Sequence, residues 1–239
     1  CDLYREKIEE IIDDPETAEA LKPHGYPIGC KRQVFDSNYY AAFNQENVTL
    51  VDLRKGGINR ITATGIQTDH ESFDIDILVY ATGFDAMTGA LKRIDIRGRD
   101  DQRLIDKWVD GPRAYLGLQM AGFPNLFTIT GPGSPSVLSN MLVAIEQHVD
   151  WIRDCLEHLE NNQVDTIEPT LDAESEWVAH VNDVGQGTMF TAPTCNSWYL
   201  GANILGKPRV FMPYVGGIHR YRARCEAVVA NDYEGFRLE

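Results

Sequence analysis

The stretch Phe73–Leu91, FDIDILVYATGFDAMTGAL, constrains the fold of this 239-residue chain more than any other. Ile75, Ile77, Leu78, Val79 and Tyr80 form an apolar run of β-formers, which predicts a buried strand. The run stops at Ala81-Thr82-Gly83, where small residues let the backbone approach another segment or a ligand closely. On the residues alone, a core strand ending in a turn accounts for this text.

A second informative region is Phe123–Leu159. Asn125–Thr130 predicts a strand, GPGSPS (Gly131–Ser136) a tight turn, and a long helix follows. Its apolar stripe is read as Leu138, Met141, Leu142, Ile145, Val149, Ile152, Leu156 and Leu159. Strand, Gly-x-Gly and helix come near a dinucleotide fingerprint, but Ser136 replaces the third glycine and prolines interrupt the loop. No second strand with an acidic end follows at the expected distance. What survives is the helix N-terminus, whose free N–H groups favour a partly negative atom. His148 falls beside the stripe and reads as structural.

Upstream, Tyr4–Asp13 and Glu16–Leu21 predict short helices separated at Pro15. Pro27 and Gly29 place Lys31 and Arg32 on a loop. That pair is either a solvated basic surface or a grip for a phosphate and a second anion. Val48–Leu53 and Ile58–Ile66 read as strands, with turns at Thr64-Gly65 and Asp69-His70. Lys92–Trp108 is a polar excursion turning at Gly98-Arg99-Asp100. Ala173–Val184 and His219–Ala230 predict helices, and Val210–Val215 a strand.

Lys and Arg number 22 against 36 Asp and Glu, a net charge of −14 that argues against nucleic acid as a partner. Five scattered cysteines without a C-x-x-C give no zinc or other metal site. No apolar run approaches a membrane span, and a cytoplasmic location is the expectation. The chain begins at Cys1 and runs straight into helix-like text, which suggests a piece of a longer protein.

Four motifs occur in one order: GCKRxxxDxxYYxxFNxxNVxLVD (Gly29–Asp52), ILVYATGFDA (Ile77–Ala86), GPGSPSVLSNMLVAIEQHVDWI (Gly131–Ile152) and SWYLGAN (Ser197–Asn203). Together they resemble the flavin-dependent Baeyer–Villiger monooxygenases of the phenylacetone and cyclohexanone type, over essentially the whole chain but only the C-terminal part of such an enzyme. The resemblance implies an α/β fold: the C-terminal part of a Rossmann-like flavoprotein with two dinucleotide-binding domains and a helical insertion. Residues 1–29 would end that insertion, 30–81 would be the second half of the NADPH domain, and 82–239 the second half of the FAD domain. The missing N-terminal half would hold both Gly-rich nucleotide motifs.

The implied activity is insertion of one oxygen atom of O2 beside a ketone carbonyl, giving an ester or lactone, with FAD and NADPH as cofactors. An N- or S-oxidising flavin monooxygenase is the related alternative, and a non-catalytic remnant is the other. By resemblance Arg32 is catalytic, and Lys31 contacts the extra phosphate of NADPH. The residue type suits the role, since a guanidinium keeps its charge near neutral pH and favours an anion beside it. Trp198 would lie on a mobile loop that reaches NADP, although a buried aromatic anchor reads equally well. Ser136, Val137, Leu138 and Ser139 would line the substrate pocket and Met141 would meet the flavin; Leu138 and Met141 also suit plain core positions.

Overall fold

Helix α1 (Asp2–Ile11) and helix α2 (Pro15–Leu21) pack through Ile8, Ile12 and Ala18, with Tyr4, Leu21 and Tyr40 around them. The chain restarts between them because Asp14 caps α2, its carboxylate accepting the Thr17 N–H at 2.8 Å, and Pro15 fills the first helical position. Asn44 closes the open end of α1: its amide donates to the Ile11 carbonyl at 2.8 Å, and its oxygen accepts the Asp13 N–H at 3.0 Å. The computed structural model describes residues 1–239, and these elements belong to the first of two units, Cys1–Gly83 and Phe84–Glu239.

The first unit also holds an antiparallel meander of β1 (Ile58–Ile61), β2 (Gly65–Thr68) and β3 (Ser72–Asp74). Its register pairs Ile61 with Ile66 and Ile66 with Phe73. The turns close where the Thr62 N–H meets the Gly65 carbonyl and the Thr68 N–H meets the Glu71 carbonyl, each at 2.8 Å. Gly65 is obligatory, since a Cβ there would lie 1.9 Å from the Phe73 carbonyl oxygen.

Two expected strands of this unit do not form. Val48–Leu53 and Ile75–Tyr80 carry no ladder, and Ile77 and Val79 are 81% and 77% exposed. A strand needs a neighbour to take its hydrogen bonds, and the meander ends at Asp74 without flanking either segment.

The second unit is built on three helices: α5 (Met141–Asn162), α6 (Leu171–Gly185) and α7 (Ile218–Ala230). Short helices α3 (Gly89–Lys92) and α4 (Leu104–Lys107) precede them. Asn140 caps α5 by accepting the Leu142 N–H, and Thr170 caps α6 by accepting that of Ala173. Trp151 and Cys155 of α5, Trp177 and Val181 of α6, and Tyr221 and Val228 of α7 share one core with Leu116 and Leu118. Leu104, Trp108, Met120 and Phe123 form a smaller second core. Strand β4 (Ile167–Pro169) pairs antiparallel with β5 (Phe236–Leu238). The predicted strands Asn125–Thr130 and Val210–Val215 reduce to isolated backbone contacts, such as the bridge of Phe127 with Gln119. Every ladder in the chain is antiparallel.

Helix α5 is turned from the face its apolar residues suggest. Ala144, Gln147, His148, Trp151, Cys155 and Leu159 face the core, while Leu142, Val149 and Leu156 stay exposed. The core selects Trp151, whose area outweighs that of smaller aliphatics, and His148, which the hydrogen bonds described below satisfy.

Two buried carboxylates fasten the polar excursion. Glu168 accepts from Arg99 at 2.6 Å, Arg237 at 2.9 Å and the Gly122 N–H at 2.9 Å. Glu174 accepts from Lys107 at 2.9 Å and the Ala121 N–H at 3.0 Å, with Arg113 at 3.5 Å. Each buried charge is thus both paired and hydrogen-bonded.

Candidate functional site

In the first unit, Gly29 takes a positive φ of 86°, turning the chain so that Lys31 and Arg32 stand on an exposed loop. The Lys31 ammonium lies 4.6 Å from the centre of the Tyr26 ring, a cation–π contact that orients the side chain. Downstream, Asp36 accepts the Tyr39 N–H at 2.7 Å and opens the aromatic segment. Tyr39 packs edge-on against both Tyr40 and Phe43.

In the second unit, the Gly131–Ser136 turn is sewn to three other segments. The Gly131 N–H donates to the Gly117 carbonyl at 3.2 Å and the Gly133 N–H to that of Met212 at 2.7 Å. The Tyr214 N–H donates to the Ser134 carbonyl at 2.7 Å, and the Trp177 indole to that of Gly133 at 3.1 Å. Both glycines are needed, because a Cβ on Gly131 would sit 2.6 Å from the Gly117 carbonyl oxygen, and Gly133 has φ +91°.

The turn does not run directly into the long helix. A 3-10 turn, Ser136–Leu138, intervenes, and α5 starts only at Met141 under the Asn140 cap. The free N–H groups expected beside the Gly-rich turn therefore lie farther along, and Asn140 already satisfies one of them.

Ser136 and Met141 come together: the buried Ser136 hydroxyl lies 3.7 Å from the Met87 sulfur and 4.0 Å from that of Met141. Met87 carried no signal in the sequence beyond its place in the ATG segment, and its φ of +67° marks a constrained backbone. Ser139 is otherwise engaged, its hydroxyl donating to the Ser136 carbonyl at 3.1 Å and closing the 3-10 turn. Val137 and Leu138 are half-buried against the main core, and Met141 stands exposed at the start of α5.

Trp198 opens a 3-10 turn (Trp198–Leu200) capped by Ser197, which accepts the Tyr199 N–H at 3.2 Å; Gly201 ends it with φ +67°. The Trp198 ring meets that of Tyr199 edge-on, centres 4.4 Å apart. Half-buried on the core's rim, the indole is at once anchored and reachable.

Beneath this region lies a buried polar chain. The Thr130 N–H donates to His148 Nδ1 at 2.9 Å, which leaves the ring proton on Nε2. Nε2–H donates to the Tyr221 hydroxyl at 2.7 Å, which donates onward to the Leu116 carbonyl at 2.5 Å. Burial pushes the His148 pKa down to about 4, so the ring is neutral, and burial raises Tyr221. His148 is structural, as its sequence position suggested. No helix is long and apolar enough to cross a membrane, and no cluster of His, Cys, Asp or Glu could hold a metal ion.

Comparison with known proteins gives one consistent answer. No family model matches the chain. It is 40% identical, over all of its length, to the 2-oxo-Δ3-4,5,5-trimethylcyclopentenylacetyl-CoA monooxygenase of Pseudomonas putida, covering 44% of that protein. It is 39% identical to the acetone monooxygenase (methyl acetate-forming) of Gordonia sp. strain TY-5, over 99% of the chain and 44% of that protein. A phenazine N-monooxygenase of Lysobacter antibioticus is 40% identical over 99% of the chain and 43% of its own length. Among solved structures, cyclohexanone monooxygenase from Rhodococcus sp. Phi1 bound to NADP+ superposes with a TM-score of 0.93 at 41% identity, covering 100% of this chain and 44% of that one. The OTEMO complex with FAD and NADP superposes at 0.92 and 40% identity, covering 100% and 43%. The chain thus spans somewhat under half the length of these proteins, and over that span it is similar in sequence and in fold to proteins described as Baeyer–Villiger and cyclohexanone monooxygenases.

Proposed function

We propose that this chain is the C-terminal part of an FAD- and NADPH-dependent monooxygenase that inserts one oxygen atom of O2 beside a ketone carbonyl, yielding an ester or lactone. The observation that carries the reading is the superposition of the entire chain on an NADP+-bound cyclohexanone monooxygenase. The residues present fit the cofactors expected of such an enzyme. Two exposed cations on a glycine turn suit a phosphate, and the thioethers beside Ser136, Met141 exposed and Met87 half-buried, offer polarisable groups to a flat ring. When bound, FAD supplies the chemistry with O2 and NADPH the reducing equivalents.

Within that reading, Lys31 holds the extra phosphate of NADPH as a point charge. Arg32 keeps a permanent positive charge beside the reacting oxygen and favours its anionic form. Ser136, Val137, Leu138 and Ser139 shape one wall of the ketone pocket, and Met141 meets the flavin. Trp198 closes over NADP and excludes water. The domain assignment follows the same reading, with residues 30–81 completing an NADPH-binding domain and 82–239 an FAD-binding domain.

The test is Arg32→Ala in the protein that contains this chain. Ester formation falls about 100-fold or more, while NADPH still reduces the flavin; ester formation at the unaltered rate would overturn the assignment. A second reading, oxidation at nitrogen, is favoured by the likeness to a phenazine N-monooxygenase. Competition between a cyclic ketone and an N-heteroaromatic substrate separates the two by product.

A further inference from the structure

The loop that carries Trp198 is tied at its far end to the start of the second unit. Lys207 reaches back to Phe84–Ala86, its ammonium 2.5 Å from Asp85 Oδ1 and 3.3 Å from the Ala86 carbonyl oxygen. The Asn203 amide donates to the Phe84 carbonyl at 3.3 Å. The Lys207 side chain is only 7% exposed, which a lysine tolerates when its charge is matched.

Two glycines make room for this pair. A Cβ on Gly201 would lie 3.2 Å from both Cδ and Cε of Lys207, so the lysine stem rests directly on the backbone that ends the Trp198 turn. A Cβ on Gly89 would lie 2.7 Å from the Asp85 carboxyl carbon. The carboxylate is thereby seated over α3, whose Gly89 N–H donates to the Asp85 carbonyl at 3.2 Å. The Gly201 N–H in turn donates to the Trp198 carbonyl at 3.0 Å. The contacts run without a gap from the indole's own residue through Gly201 and Lys207 to Asp85, and from there to α3.

We propose that Lys207 and Asp85 are positioning residues: a latch that fixes the Trp198 turn against the Phe84–Ala86 segment. This rests on the reading of Trp198 as the residue that closes over NADP. Without the pair, the stem has no reason to stay on Gly201, and the turn loses a charged tether.

The test uses the protein that contains this chain, with Lys207→Met, Asp85→Asn, the conservative Lys207→Arg, and the reversed pair Asp85→Lys with Lys207→Asp. Hydrogen exchange of residues 197–206, measured without cofactor, accelerates about 10-fold in each of the first two, while α5 and α6 exchange as before. Lys207→Arg or the reversed pair restores slow exchange, which loss of packing alone would not. Unchanged exchange in both single variants overturns the latch. The second readout is steady-state kinetics: KM for NADPH rises about 10-fold with kcat nearly constant, as expected when only uniform cofactor binding is weakened. Faster exchange with an unaltered KM overturns the contact of Trp198 with NADP, and with it the positioning role, while leaving the tether itself in place. Asp85→Asn keeps size and one acceptor, so a folded variant is obtained even if Lys207→Met is unstable.

Discussion

The buried neutral His148 makes stability depend on pH in a way that can be worked out in advance. Its ordinary pKa of 6.5 is pushed down to about 4 in the fold. Between these values the unfolded chain binds a proton that the folded chain refuses, so stability is lost as pH falls through 6.5 and the loss levels off below about 4. The two pKa values give a loss of about 0.8 kcal/mol at pH 6, about 2 at pH 5 and about 3 at pH 4, relative to pH 8. His148 is inaccessible, so solvent screening does not erode the figure. The perturbation is His148→Gln, which can still accept the Thr130 N–H but cannot titrate. Urea unfolding followed by circular dichroism would be run on both proteins from pH 8 to 4. Carboxylates that titrate near pH 4 affect both alike, so the quantity of interest is the difference in unfolding free energy. It shrinks by about 3 kcal/mol toward pH 4, the variant gaining on the wild type. Parallel curves across the whole range would refute the neutral-histidine argument.

Other consequences follow from the same packing. Glu174→Ala leaves the Lys107 ammonium buried without its partner and costs about 3 kcal/mol or more, read as a drop in unfolding midpoint; Glu174→Gln, which keeps the Ala121 hydrogen bond, costs less. Gly201→Ala combines a strained φ of +67° with contact to the Lys207 stem and destabilises by about 1 kcal/mol, measurable by the same unfolding assay. Burial raises the thiols of Cys155 and Cys225 to about 11, so iodoacetamide at pH 8 modifies the exposed Cys1 and spares both until the protein is unfolded; rapid labelling of either in the native state would contradict their placement.

Much of the helical framework was legible in the sequence because its signals are local. Ala173–Val184 and His219–Ala230 fall inside α6 and α7, and Pro15 separates the first two helices where it was expected to. The turns at Thr64-Gly65 and Asp69-His70 likewise follow from residues that sit in the turns themselves. Ile75–Tyr80 has the composition of a strand, but a strand is a property of two segments, and no neighbour flanks this one. The orientation of α5 was misread for a related reason. Periodicity finds apolar stripes, and this helix has two candidate faces that only the partners Tyr221 and Tyr233 distinguish. Of the candidate residues, Lys31, Arg32 and Trp198 stand out in the text. Lys207 and Asp85, 122 residues apart, carry no motif and meet only in the fold.

The pairing of β4 with β5 bears on what residues 236–239 hold in place. The Glu239 carbonyl takes the N–H groups of Asp165 and Thr166, and its side chain reaches Arg99. Arg237 shares Glu168 with the same Arg99. Residues 236–239 are therefore a staple: their removal would expose Ile167, strip one cation from a buried carboxylate and loosen a loop some 140 residues earlier in the chain.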